Sequence, residues 1–343
     1  MIANLFIGRR GQGPASIPYS DDMTFAIAPE LVDPVVRGLI GGIDVGDGPT
    51  QEQLNVLAAV VGPVWGRSDI DLTSIGGLGP DELATAVTDP VARRRFYEIL
   101  VTLEMCRHPL DADQVTNVES YAAAIGLAPR DLEIFRDLID QGAKRAAADF
   151  SRYFDDMIMG RSEQRFKGMP IQKETPEPEI VSALERFADL PDDSLGRAFL
   201  NFYERNNLEL PGVRASTVNH MYVAHDFIHV LSGIEPTGPG EIGLGAFQMA
   251  MDDNPVNAFA FLAPIIVHET GISGVDNIVV TEGALSRPGA IDLLGESLSR
   301  GSAVTGDFAA VDHFAIAAQP LEQLREQYGV RPPANAADGW HVW

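Results

Sequence analysis

The chain has 343 residues, 45% of them hydrophobic, which is enough for large cores and excludes wholesale disorder. Forty-nine acids against 25 bases leave a net charge of −24, so nucleic-acid binding through a basic surface is excluded and a self-repelling exterior is expected. The single cysteine, Cys106, excludes an internal disulfide framework and a zinc ribbon, and makes the reducing cytoplasm the default compartment.

Residues 1–7 are apolar but too short for a signal segment, and Arg9-Arg10 lie on the wrong side of them. The longest strongly apolar run, 258–267, is about half of what a bilayer span needs. Residues 1–48 are rich in Gly and Pro and read as an irregular segment, with 17–19 and 31–36 as short apolar docking pieces. From Pro49 the pattern turns helical. Leu54, Leu57, Val60, Val61 and Val64 recur at helical spacing, Pro80-Asp81-Glu82 opens a helix, and Asp89-Pro90 caps the next. Helices over 111–125 and 129–141 follow, each with an acidic first turn. The half over 49–167 is therefore expected to be a helical bundle.

That bundle weakly resembles TerB-like (tellurite-resistance type) helical domains, through Leu103–Cys106, Pro109–Gln114 and the helix ending Ala124–Leu127. In some of those domains acids at the inter-helix turn bind a metal. Here Asp111 and Asp113 stand there, and a plain helix-start role suits both. Residues 144–168 carry Lys144, Arg145, Arg152, Arg161, Arg165 and Lys167 with interleaved aromatics. A membrane-facing helix and an ordinary connecting helix both fit that pattern, and the small charge excess favours the second. The Pro-rich stretch 168–178 reads as the linker.

The second domain is expected over 179–335, with a tail over 336–343. Helices are predicted over 180–190, 195–206, 217–232, 241–251, 257–268 and 311–328, the last with Gly329 as its C-cap. The run 278–281 suits a short strand or a helix start. The fold class is all-α.

Two histidines sit four apart in His225-Asp226-Phe227-Ile228-His229, so one helix face carries both rings. Asp226 lies about 100° around that helix and would either reach the same ion or orient a ligand. After a Gly/Pro loop, Glu241 opens the next helix, and a helix hairpin returns it towards the histidines. Such a nitrogen–oxygen set suits zinc, iron or manganese. Two satisfied core histidines are the plain alternative.

The segment His225–Phe247 resembles the signature of the Coq-four family of ubiquinone (coenzyme Q) biosynthesis proteins: HDxxH, eleven residues, then Glu. Gly233, Thr237, Gly240 and Ile242 fit it. So do Leu190-Pro191, Ser194–Arg197 and Phe199-Leu200 upstream, and Leu321, Leu324-Arg325, Tyr328–Val330 and Pro332 downstream. The resemblance covers about 180–333. It implies an all-α fold and a divalent metal, most often zinc, on His225, Asp226, His229 and Glu241, with Glu241 and Asp226 as catalytic groups. It also implies a prenylated lipid or quinone precursor as substrate, modified at C1 by oxidative decarboxylation or hydroxylation. A homodimer peripheral to the inner face of a membrane, working beside other quinone-biosynthesis enzymes, is part of the same implication. Two features depart from the family: Tyr222 and Val223 stand where an Arg and an acid are common, and the first 178 residues have no counterpart in its compact members.

Two other classes remain open at this point. One is a non-catalytic lipid-binding scaffold for a quinone-biosynthesis complex; the other is a His-Asp metallohydrolase. Leu244, Phe247, Met249, Met251, Phe259, Phe261, Leu262, Ile265 and Ile266 would either line a lipid cavity or form a plain core, the core being the simpler reading. His268-Glu269 lacks the second His of HExxH, His313 is a distant acid–base candidate, and His108 and His341 read as turn or surface residues.

Overall fold

Proline and small polar caps start most of the helices, as the sequence leads one to expect. The computed structural model describes residues 25–109, 111–126, 159–271 and 279–343. The expected helix over 129–141, most of the basic stretch 144–168, the pieces 1–24 and Ile278 lie outside the described residues. In chain order the α-helices are α1 (Pro29–Ile43), α2 (Gln51–Val61), α3 (Pro80–Ala86), α4 (Pro90–Met105), α5 (Ala112–Ile125), α6 (Pro178–Glu185) and α7 (Leu195–Arg205). They continue as α8 (Asn219–Ser232), α9 (Gly238–Met251), α10 (Pro255–His268), α11 (Ala290–Gly301), α12 (His313–Ile316) and α13 (Leu321–Gln327). Only isolated bridges, and no strands, occur among the described residues. The chain is all-α.

Local chemistry explains the boundaries. Thr50 and Gln53 form a reciprocal capping box on α2, and Asp89 accepts from Ala92 N at 2.8 Å to cap α4. Asp111 caps α5 by accepting from Asp113 N at 2.8 Å and stands 3.5 Å from Arg107, which is the helix-start role.

Two expectations are corrected. Residues 29–43, expected within an irregular segment, form α1, because its glycines are packing contacts rather than breakers. A Cβ on Gly38 would press on Leu83 and Phe96. The expected single helix over 311–328 is broken into α12 and α13. Pro320 lacks a donor, and the carbonyls of Ala317 and Gln319 accept instead from Gly196 N and Leu195 N, both at 2.9 Å.

Helix α9 lies against both α10 and α11 and feeds two apolar cores. Ile242, Ala246 and Met249 join a core shared with α1, α2, α4, α5 and α10; Leu244, Phe247 and Met251 join one shared with α6, α7 and α8. The first core runs on both sides of the expected linker. Burying a side chain such as Phe227 stabilises the fold by about 1.5–3 kcal/mol. Between the same halves, Arg94 of α4 pairs bidentately with Asp253, which precedes α10, while Arg95 reaches Asp253 at 3.0 Å and Glu98 at 2.6 Å. All four side chains are buried. No helix among the described residues is long and apolar enough to cross a membrane.

Candidate metal centre

Helix α8 carries His225 and His229 one turn apart, and their ring centroids lie 4.9 Å from each other. The helix ends at Gly233, in the left-handed region at φ 74°, where Gly233 N donates to His229 O at 2.8 Å. A Cβ there would stand 2.6 Å from Val342 O, so glycine also admits the C-terminal tail. The tail fastens the loop that follows: Glu235 N donates to Trp340 O at 2.9 Å and Val342 N to Gly233 O at 2.8 Å. Trp343 lies on the Arg325 guanidinium, 3.7 Å from it.

The chain then turns into α9. Thr237 accepts from Gly240 N at 3.1 Å, and Gly240 is packed so tightly that a Cβ would run into the Glu235 carbonyl. Glu241, in this first turn, faces back to α8. Its Oε2 lies 3.1 Å from His225 Nε2 and its Oε1 3.3 Å from His229 Nε2. One ligand atom from each of the three side chains lies within 4.8 Å of the other two, close enough for two imidazoles and a carboxylate to share one ion.

The orientation of His229 strengthens the fit. Its Nδ1 donates to Ile234 O at 2.7 Å, which leaves Nε2 as the bare nitrogen of the neutral ring. That nitrogen is buried, has no hydrogen-bond partner and faces a carboxylate. Such an orphaned atom is expensive to bury unless a proton or a cation stands beside it. Burial works against charge on the His229 ring, yet the Glu241 carboxylate outweighs it and raises the pKa. Burial likewise works against the Glu241 carboxylate, but His229 and His225 hold it well below its usual range. His225 and Glu241 each keep about a fifth of their side-chain surface, so the centre is open on one side.

Asp226 is placed otherwise. It stands outside the convergent trio, and Tyr203 OH of α7 donates to its Oδ2. Burial raises its pKa, against the pull of His225 and His229. Tyr203 was not singled out from the sequence, since nothing local links α7 to a position on α8. Tyr222 lies edge-on to His225, with centroids 6.5 Å apart.

The remaining histidines are spread over other contacts. His313 stacks on Phe227 and meets Glu163 Oε2 at 2.6 Å. His220 meets Glu177 at 2.6 Å, and His341 sits between Asp338 and Arg300. The apolar residues from Leu244 to Ile266 considered for a lipid cavity are buried within the two cores. Asp111 and Asp113 join no three-ligand group among the described residues.

Residues 163–275 match the family described as coenzyme Q (ubiquinone) biosynthesis protein Coq4, which bears out the resemblance over that segment. No curated protein matches the chain. Among solved structures, a candidate ubiquinone biosynthesis protein from Nostoc punctiforme is similar at 16% identity and a TM-score of 0.33, covering 68% of this chain and 97% of that one.

Proposed function

We propose that this chain acts in coenzyme Q biosynthesis, holding a divalent metal on His225, His229 and Glu241 and working on the head group of a prenylated aromatic precursor. The family match over 163–275 supports the pathway. The observation that carries the metal is His229: its Nδ1 is spent on Ile234 O, and its buried Nε2 is aimed at Glu241 with no hydrogen-bond partner.

A bound ion would supply Lewis acidity at the head group. The protein's own contribution is placement. Ile234 O fixes the His229 ring, the Tyr203 hydroxyl holds Asp226 beside the ligands, and the partly exposed edge of His225 and Glu241 leaves a side from which a head group can enter. The solid packing of α9 and α10 favours a prenyl tail that runs outside these two helices rather than between them. Oxidative decarboxylation at C1 replaces a carboxylate by a hydroxyl and releases carbon dioxide, so an oxidant must enter with the substrate. Zinc suits the two-imidazole, one-carboxylate set, and iron or manganese would serve the same donors.

Elemental analysis of wild type beside His229→Ala, with carbon dioxide release from a prenylated hydroxybenzoate as a second readout, tests this. Loss of one metal equivalent together with turnover is expected. Unchanged metal content in the variant would overturn the centre, turnover that survives metal loss would make the metal structural rather than catalytic, and metal-loaded wild type without turnover would leave the scaffold role.

A further inference from the structure

A second cluster of ligand-type side chains lies where the two halves of the chain meet. Glu52 sits in the acidic first turn of α2, His108 lies three residues past the end of α4, and Glu269 is the C-cap of α10. One ligand atom from each lies within 4.8 Å of the other two. His108 Nε2 stands 2.9 Å from Glu269 Oε1. The other oxygen of Glu269 accepts from Leu285 N at 2.8 Å, which fixes the carboxylate's direction. Glu269 is fully buried, and Glu52 Oε1 is buried with no hydrogen-bond partner. His108 keeps 30% of its side-chain surface, so the cluster is reachable from solvent on that side.

The charge balance is unfavourable as it stands. Glu52, Glu269 and Glu282 act together on a single imidazole. Two facing carboxylates, one of them fully buried, are costly without a compensating cation. A third cluster in the molecule shows how the protein settles such a balance by itself: Glu296, Asp338 and His341 also converge, but Arg300 Nη1 lies 3.2 Å from His341 Nε2 and brings a positive charge. Among the described residues, the charged groups that act on Glu52 and Glu269 are His108 and each other.

We propose that Glu52, His108 and Glu269 form a second divalent-metal site, which clamps α2 and the end of α4 onto the end of α10. One imidazole nitrogen and two carboxylates form a borderline-to-hard donor set, suited to zinc or manganese. The fixed oxygen of Glu269 places its partner oxygen, and His108 closes the site from the solvent side. All three ligands come from different elements, so occupancy ties the N-terminal helices to the helix that follows Glu241.

The test is zinc content after stripping with chelator and reconstitution with zinc sulfate, on wild type, His229→Ala, His108→Ala and Glu52→Gln, each first checked for helical content by circular dichroism. About two equivalents are expected in wild type and about one in each variant. In His229→Ala, added zinc should raise the melting temperature, and in His229→Ala/Glu52→Gln it should not. Full zinc content in both His108→Ala and Glu52→Gln overturns the second site, as does an absence of zinc from His229→Ala. A single equivalent that survives in His229→Ala and vanishes in both other variants upholds the second site and sinks the first. Glu52→Gln keeps the shape of a half-buried side chain, so it reports even where His108→Ala fails to fold.

Discussion

Tyr203 donates its hydroxyl to Asp226, and Asp226 stands outside the group in which His225, His229 and Glu241 converge. The HD of HDxxH thus divides its labour. His225 faces Glu241, while Asp226 is held across the helix by α7.

Asp226→Asn is therefore expected to keep the metal, with affinity lowered about 10–100-fold at most, the range seen when an outer partner of a ligand is changed. Glu241→Ala should lose it. Tyr203→Phe should resemble Asp226→Asn. Metal retention during dialysis against graded chelator separates the cases, and loss of metal from Asp226→Asn equal to that from Glu241→Ala would make Asp226 a ligand.

The pair Arg94–Asp253 makes a second prediction. Asp253→Ala takes one acid away from two buried guanidiniums that also meet Glu98. Removing one partner of a buried pair costs about 3–5 kcal/mol. Urea denaturation of Asp253→Ala beside wild type measures it, and a loss below about 1 kcal/mol, the range of surface pairs, would show that the network relaxes into water.

The metal-free protein should lose stability as pH rises from 5 to 8. Burial, then the facing Glu269 carboxylate, push the Glu52 carboxyl up to about 7, from an ordinary 4.5. A carboxyl raised on folding stabilises the native state fully below its unfolded pKa, and that contribution is lost as pH rises through the folded one. His108 is also raised, by its contact with Glu269, and its contribution fades in the same direction. Glu52→Gln holds the neutral form at every pH and should flatten the slope. Urea midpoints at pH 5 and pH 8 in the presence of chelator check this, and equal slopes in both proteins would refute it.

Cys106 should be inert in the native protein. Burial pushes its thiol well above the ordinary range, and Glu269 and Glu52 add to the shift. A chromogenic thiol reagent should titrate it only after denaturation; fast reaction with native protein would contradict the buried placement.

The legible parts of the fold were those in which local chemistry and tertiary packing agree. Pro80, Asp89-Pro90 and Asp111 start helices where the sequence predicts them. Helix α1 was hidden because Gly38, Gly41 and Gly42 read as breakers until their neighbours are known: Leu83, Phe96, Leu78 and Leu100 occupy the space a Cβ would need. The break at Pro320 depends on α7 capturing two carbonyls, which no window along the chain reveals. At the candidate metal centre, the spacing of His225, His229 and Glu241 predicts their convergence, and the three side chains do converge. The direction of Asp226 depended on Tyr203, a partner outside the motif. The Glu52–His108–Glu269 cluster was invisible, since its members come from three separate elements and each looks ordinary in its own surroundings.

The crowding along α9 bears on how relatives of this chain are recognised. Beyond Glu241, a Cβ on Gly243 would press on Leu293 and Ser297, and one on Gly245 would stand 2.8 Å from the Phe261 Cα. Helices α10 and α11 therefore rest against bare backbone, and that contact sets the height at which Glu241 meets α8. A lineage could preserve every letter of HDxxH and the distant Glu, acquire side chains at these glycines, and lift the carboxylate off its partners. The geometry of the candidate centre thus rests on the motif together with Gly243 and Gly245, and a homologue that kept the first while discarding the second would be expected to lose it.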